Sequence, residues 1–284
     1  MRLSFMETGF LYGNALRAQG LPYGAIAAAV RMVQWAEVHH GIGVAYLDRR
    51  ARPRVPSRPP RVLAHEGGRL VVDAGGGSSL VVGPGVLDLA CAAAAAHGVA
   101  AVAVRALDDL GWLGALAAQA TRRGLACVLS FAADPASSDA RDLAALYSPA
   151  RSVFATPAEP APWWIEAPLA HALHERLLAG EALSDVRSAL ALASRRAAGA
   201  PPPGASLLCL TAAVGADDAA RTLRGWPGER ACAWEPDDLA ALRRRAFEQG
   251  MAVDDAAFAA VTRRALATVI PSSEESRHQA GAEG

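Results

Sequence analysis

Hydrophobic and polar positions follow their clearest pattern between residues 69 and 131, where short apolar runs are separated by longer segments with helical spacing. Short runs rich in β-branched residues are typical of buried strands, whereas apolar residues three and four positions apart are typical of helices. Glycines stand where one element gives way to the next. The pattern predicts strands at 70–72, 99–104 and 125–131 and helices at 85–96 and 111–123, which is the alternation of an α/β fold.

The regions on either side of this stretch favour helices. Ser4 and Glu7 have capping-box spacing at the start of a helix predicted at 3–20. Further helices are predicted at 25–39, 169–180, 183–198 and 258–267, and a strand at 207–214. Four segments are therefore expected: an N-terminal helical segment with a Pro/Arg connector (1–61), an α/β core (62–160), a divergent helical and mixed part (161–270) and a flexible tail (271–284).

Composition and charge exclude several kinds of partner and of chemistry. The 284 residues carry 28 basic and 28 acidic side chains, so neither nucleic acid nor an anionic membrane surface is an expected partner. Every basic side chain other than histidine is arginine, which excludes a lysine Schiff base. No secretory signal or membrane-spanning run is evident, and the four cysteines are far apart. A cytoplasmic location with buried thiols is expected.

Asp108 and Asp109 are the acid/base candidates that position alone favours. They follow a predicted strand and precede Gly111, and α/β proteins place their chemistry at the carboxyl ends of strands. Neighbouring carboxylates can also raise one pKa. The alternative is that the pair caps the next helix. Elsewhere, His171 and His174 match neither spacing used by zinc enzymes, which favours a solvated helix face over a metal site.

Three motifs give the chain a resemblance to a known family. Residues 71–77 read VVDAGGG, residues 97–99 read HGV and residues 105–111 read RALDDLG. They resemble the V-x-D-G-x-x-G-x-G turn, the H-G-V helix end and the R-x-S-x-H-x-G motif of the type-2 malate/L-lactate dehydrogenases, a family that includes sulfolactate and ureidoglycolate dehydrogenases. Leu107 replaces the Ser of the last motif, and Asp109 replaces its His, the family's proposed acid/base residue.

The resemblance implies a malate/L-lactate dehydrogenase type-2-like α/β fold, which is not the Rossmann fold, with an N-terminal helical segment. It implies that His40 lies at the family's S-H-G helix end, with His39 in place of the Ser, and that His39 and Arg105 contact a substrate. In an active enzyme, His40 and Asp109 would share proton transfer within one cleft. The family's G-G-x-K-G loop, which helps to hold the nicotinamide dinucleotide, has no counterpart in the sequence.

Two hypotheses follow from this combination of features. The first is a catalytically degenerate bacterial relative, non-enzymatic or regulatory, that binds no cofactor and at most a small-molecule ligand. It would associate with itself, as a homodimer, or with an active homologue. The second is an active NAD(P)-dependent oxidoreductase that reduces a small 2-oxo acid or a cyclic imine with a rearranged acid/base. Neither requires a metal ion. The first is favoured because it requires no residue that the sequence lacks.

Overall fold

A computed structural model of the protein describes residues 1–50, 56, 58–157, 163–167, 169, 171–181, 186–193, 195, 197, 199–211 and 232–266. Residues 51–55 and 57 of the predicted connector and the predicted tail at 271–284 lie outside these ranges. The described helices are α1 (Phe5–Ala18), α2 (Tyr23–His40), α3 (Gly43–Arg49), α4 (Ser79–His97), α5 (Gly114–Arg122), α6 (Ser138–Leu146), α7 (His171–Ala179), α8 (Val186–Ala193), α9 (Pro236–Gln249) and α10 (Asp255–Leu266), with a 3-10 turn at Leu110–Trp112.

The described strands form a large mixed sheet and a small one. They are β1 (Arg2–Leu3), β2 (Arg61–Glu66), β3 (Arg69–Asp73), β4 (Val99–Arg105), β5 (Ala126–Ala132), β6 (Ala150–Thr156), β7 (Trp163–Ala167), β8 (Gly204–Leu210), β9 (Cys232–Trp234) and β10 (Met251–Ala252). The large sheet has eight strands in the order β2-β3-β4-β8-β5-β6-β7-β9, and β1 pairs with β10. Only the β3–β4 pair is parallel in the described part of the large sheet.

Side chains alternate between the two faces of the large sheet, as the period of two in a strand requires. In β4, Val102 and Val104 pack in a core that also contains residues of helices α1 to α5. The intervening Ala101 and Ala103 pack on the opposite face, in a smaller core with Leu177 of α7 and residues of α8. The sheet is therefore buried between two helical layers, which explains why its central strands are almost entirely apolar.

Most of the predicted elements are confirmed. Strands occupy the three predicted places in residues 69–131, and they belong to one sheet. The capping box of Ser4 and Glu7 begins α1. The predicted bounds of α4 were wrong, because Ser78 caps the helix and α4 includes Pro84 rather than beginning after it. Helix α6 was not predicted.

Parts of the predicted helix at 183–198 and strand at 207–214 lie outside the described residues. The four predicted segment bounds stay predictions. Strands of the predicted C-terminal part lie in the same sheet as those of the predicted core.

Helix α4 has the length and composition of a membrane span, contrary to the expectation from the sequence. Half of its apolar stretch is buried within the protein. Leu80, Leu87 and Ala90 pack in the larger core. The buried core helix of a soluble protein can have the same length and composition.

Candidate functional site

The loop after β4 brings the RALDDLG motif against the start of α4. Two residues of this loop, Ala106 and Asp109, have positive φ angles of 52° and 58°, a conformation that is unfavourable for residues other than glycine. The loop is held by the Asp108 amide, which donates to the Gly77 carbonyl at 3.0 Å, and by the Ser79 amide, which donates to the Asp108 carbonyl at 2.8 Å. The unfavourable backbone therefore directs the Asp109 side chain into the protein, where it is fully buried.

Asp109 is part of a carboxylate cluster around Arg50, which comprises the buried Asp109 and Asp139 and the partly exposed Asp108 and Asp142. The Arg50 Nε lies 2.5 Å from Asp109 Oδ1, and its Nη2 lies 2.8 Å from Asp108 Oδ2. Its Nη1 lies 3.4 Å from Asp142. Arg50 is only 7% exposed, so these contacts are largely shielded from water. One guanidinium group thus links the motif loop to helix α6.

Asp139 completes the carboxylate cluster from α6. Its Oδ1 accepts a hydrogen bond from the Tyr46 hydroxyl, and its Oδ2 accepts one from the Leu110 amide at 3.1 Å. Asp139 therefore caps the 3-10 turn. The interpretation of Asp109 as a helix cap was wrong, because its side chain makes no capping hydrogen bond and binds Arg50 instead.

Burial dominates the electrostatics of this cluster. Burial raises the pKa of Asp109, the charge of Arg50 opposes this effect, and the resulting value is about 6. Burial also raises the pKa of Asp139, against the effect of the Tyr46 hydrogen bond. Oxygens of Asp108, Asp109 and Asp139 lie within 4.8 Å of one another, as a hard cation would require. Arg50 supplies the positive charge that such an ion would bring.

His40 lies in a different cluster, at the other end of α6. Its Nε2 is 3.0 Å from Glu166 Oε1, with side-chain exposures of 8% and 0%. Glu166 also pairs with Arg151 and accepts hydrogen bonds at 3.0 Å from the Tyr147 hydroxyl and the Trp164 indole. Burial acts to raise the pKa of Glu166, but His40 and Arg151 hold it at about 2. Glu166 is therefore ionised throughout the neutral range.

Aromatic rings enclose the His40 imidazole. The rings of Tyr147, Trp35 and Trp234 have centroids 4.8, 5.3 and 5.3 Å from that of His40. His40 therefore pairs with Glu166, and Asp109 with Arg50. The two side chains thus have different ion-pair partners, and their meeting in one cleft of an active enzyme stays a prediction.

The two residues expected to contact a substrate belong to neither ion-paired cluster, although His39 packs on Trp35 and Trp234, which also contact His40. The His39 Nδ1 lies 2.8 Å from the Trp35 carbonyl, so Nδ1 carries a proton and donates it to this oxygen. Burial lowers the pKa of His39 to about 4. Arg105 donates to the Leu178 carbonyl near the end of α7, at 3.2 Å from Nε and 2.5 Å from Nη2. A role in substrate binding stays a prediction for both residues.

The histidines of α7 are buried, so the interpretation of a solvated helix face was wrong. His171 is 5% exposed and His174 is 0% exposed. His174 Nε2 lies 2.9 Å from the Pro202 carbonyl and must donate to it, which leaves Nδ1 to accept from Ser206 at 2.9 Å. Burial lowers the pKa of His174 to about 4. His174 therefore joins α7 to the β8 region as a neutral structural residue.

A cavity of about 330 Å³ opens beside the RALDDLG motif, and we call it the motif cavity. Three of its lining residues are acidic: Asp108, Asp134 and Asp139. The described lining contains no arginine or histidine. The loop residues Gly76, Ala106 and Leu107 and the strand ends around residues 132 and 204 form the rest of its wall. A ligand in this cavity would meet an acidic surface.

Comparison with solved structures identifies the fold. Sulfolactate dehydrogenase from Methanocaldococcus jannaschii aligns with a TM-score of 0.61 and 14% identity, over 94% of this chain and 97% of that chain. The fold is malate/lactate dehydrogenase-like. Malate dehydrogenase from Pyrococcus horikoshii aligns with a TM-score of 0.62 and 13% identity, over 95% of this chain and 96% of that chain. A delta1-piperideine-2-carboxylate reductase from Pseudomonas syringae aligns with a TM-score of 0.56 and 14% identity, over 93% of this chain and 99% of that chain.

The likeness is one of structure rather than of sequence. No family model matches the sequence. No curated protein matches it either. At identities of 12–18%, the aligned dehydrogenases establish the architecture, and the chemistry must be argued from the side chains of this chain.

The sequence pointed to Asp109 and His40 but not to their partners. Arg50 and Asp139 belong to no motif and to no predicted element, so nothing in the local pattern indicates a role for them. A signal for Glu166 was present, because a carboxylate between Trp164, Ile165 and Ala167 is unusual in a buried strand and needs a compensating charge.

Proposed function

We propose that this chain is a malate/lactate dehydrogenase-like protein that does not catalyse nicotinamide-dependent hydride transfer. The observation that carries the proposal is the burial of His40 and Asp109 in two separate ion-paired clusters. Neither residue lines the motif cavity. A general acid must come within hydrogen-bond reach of the atom it protonates. In this arrangement each side chain is bound to a partner within the protein, His40 to Glu166 and Asp109 to Arg50, and is not directed at a ligand.

The acidic lining of the motif cavity supports the proposal that no nicotinamide dinucleotide binds there. Proteins bind the pyrophosphate of such a cofactor with backbone amides, helix N-termini and cationic side chains. Here Asp108, Asp134 and Asp139 line the wall without a described cation. They would repel a pyrophosphate rather than hold it, so the lining of the motif cavity does not fit the cofactor. The sequence also contains no lysine to offset them.

One observation favours the alternative of an active oxidoreductase that reduces a small 2-oxo acid or a cyclic imine. The pKa of Asp109, raised to about 6 by burial, suits a carboxyl that gives up and regains a proton near neutral pH. Activity would then require Arg50 to leave Asp109 so that the carboxyl could face a substrate.

Calorimetric titration with NADH and with NADPH, combined with assays on pyruvate, oxaloacetate and a cyclic imino acid, tests the proposal. We expect no saturable binding of either nucleotide and no turnover. The double variant Asp109→His with Leu107→Ser, which restores the family's motif, should also remain inactive because the cofactor does not bind. Micromolar binding of either nucleotide, or turnover that Asp109→Asn removes, would establish the alternative. The expected homodimer stays a prediction.

A further inference from the structure

A second cavity, of about 310 Å³, lies among helices α1, α2, α5 and α9, and we call it the arginine cavity. It shares no described lining residue with the motif cavity. Its cationic members are Arg31 of α2, Arg122 of α5 and Arg243 of α9. Three helices that are distant in sequence thus bring three guanidinium groups to one place.

These three arginines have no acidic partner in the described part of the chain. The neighbouring Arg123 differs, because it pairs with Asp88 at 2.7 Å and does not line the cavity. Burial lowers the pKa of Arg122, and repulsion from Arg243, Arg31 and, least, Arg123 lowers it further. Like charges gathered without a counter-charge destabilise the folded protein unless something else offsets them. A bound anion would provide that offset.

Apart from Gln34 and Val38, the remaining side chains that line the arginine cavity carry aromatic rings. Trp35 is 8% exposed and stacks on the His39 ring, with centroids 4.5 Å apart. At the opposite side, Phe5 and Phe247 stack with centroids 4.4 Å apart, although Phe247 is 72% exposed. An exposed, stacked aromatic pair beside a cationic cavity provides a flat apolar surface for a planar ring.

His39 forms a neutral part of the wall. Its Nδ1 proton is used by the Trp35 carbonyl, and its Nε2 has no hydrogen-bond partner among the described residues. The residue expected from the sequence to contact a ligand therefore does line a cavity, but one whose charge is opposite to that of the motif cavity.

We infer that the arginine cavity binds a small organic dianion that carries a planar ring. The arginines recognise the anionic group, because guanidinium groups bind phosphate with paired hydrogen bonds. The aromatic wall recognises the ring. The volume lies at the lower end of the ~300–1,000 Å³ found for ligand sites, which suits a single ring with one dianionic group. The inference does not depend on the proposed function.

Phenyl phosphate is the probe. Inorganic phosphate and phenol are the reference ligands, because each carries only the anionic group or only the ring. Titration calorimetry of the full chain at neutral pH and low salt should show saturable binding of phenyl phosphate, at least about tenfold tighter than that of either half. Arg122→Gln and Arg243→Gln should each weaken binding by about tenfold or more, because each removes a charge-assisted contact. Arg123→Gln is the matched control and should leave the affinity unchanged.

A second variant separates the two parts of the inference. Phe247→Ala should reduce the advantage of phenyl phosphate over inorganic phosphate while leaving the affinity for phosphate itself unchanged. Absence of saturable phenyl phosphate binding would overturn the inference. An equal loss in Arg123→Gln, or binding of inorganic phosphate as tight as that of phenyl phosphate, would also overturn it.

Discussion

Replacing Asp109 by asparagine should change how the stability of the protein depends on pH. The pKa of this carboxyl is raised from 3.8 to about 6 in the folded protein because the side chain is buried. The folded state therefore holds the proton more tightly than the unfolded state. The stabilisation from the protonated group is fully present below pH 3.8 and is lost as pH rises through about 6.

The size of this loss follows from the shift. A change of roughly 2 pKa units corresponds to about 3 kcal/mol, at about 1.4 kcal/mol per unit. Asparagine has nearly the same shape, can still accept from Arg50 and does not titrate. The free energy of unfolding of the wild type minus that of Asp109→Asn should therefore fall by about 3 kcal/mol between pH 3.5 and pH 7.

Urea denaturation at half-unit steps of pH measures this difference through the midpoint and the slope of each curve. Other buried groups that titrate in the same window, such as Glu37 and His39, are common to both proteins and cancel. Asp134→Asn is the control, because it makes the same chemical change at an exposed position of the motif cavity. A difference that rises with pH would refute the reasoning, because it would mean that the charge of Arg50 outweighs burial.

Two further predictions concern the core. Glu166→Gln should lower the free energy of unfolding near neutral pH by about 3–5 kcal/mol in urea denaturation, because it leaves the Arg151 guanidinium without its buried counter-charge. A loss below about 1 kcal/mol would contradict this. Gly114→Ala should lower the melting temperature, because the added Cβ would lie 2.6 Å from the Trp35 ring. Gly85→Ala should raise the melting temperature, because the Cβ would enter open space and alanine favours the helix α4. Equal shifts of the two melting temperatures would show that the packing argument is wrong.

The sequence predicted the local elements well because their signals are local. The apolar runs in residues 69–131 and the capping box at Ser4 depend on a few neighbouring residues. The fold class followed from the alternation and from three motifs. Helix α6 was not predicted, since it follows an irregular polar stretch, and its N-cap, Ser137, is one of several small polar residues there.

The partners of the site residues could not be predicted because they come from distant parts of the chain. Arg50 reaches Asp109 across 59 positions, and no spacing rule connects α3 to the loop after β4. Similarly, His40 meets Glu166 only because β7 joins the sheet beside β6. A buried charge in a sequence indicates that a partner exists, but the topology alone decides which residue it is.

The position of β8 has a consequence for the newly made chain on the ribosome. This strand separates β4 from β5, although it is synthesised long after both of them. At ~5–20 residues per second, β8 emerges several seconds later than β5. During that interval β4 and β5 have open hydrogen-bonding edges towards the same gap. Direct pairing of β4 with β5 would exclude β8, so correct folding depends on delaying sheet closure until residue 210 has left the exit tunnel.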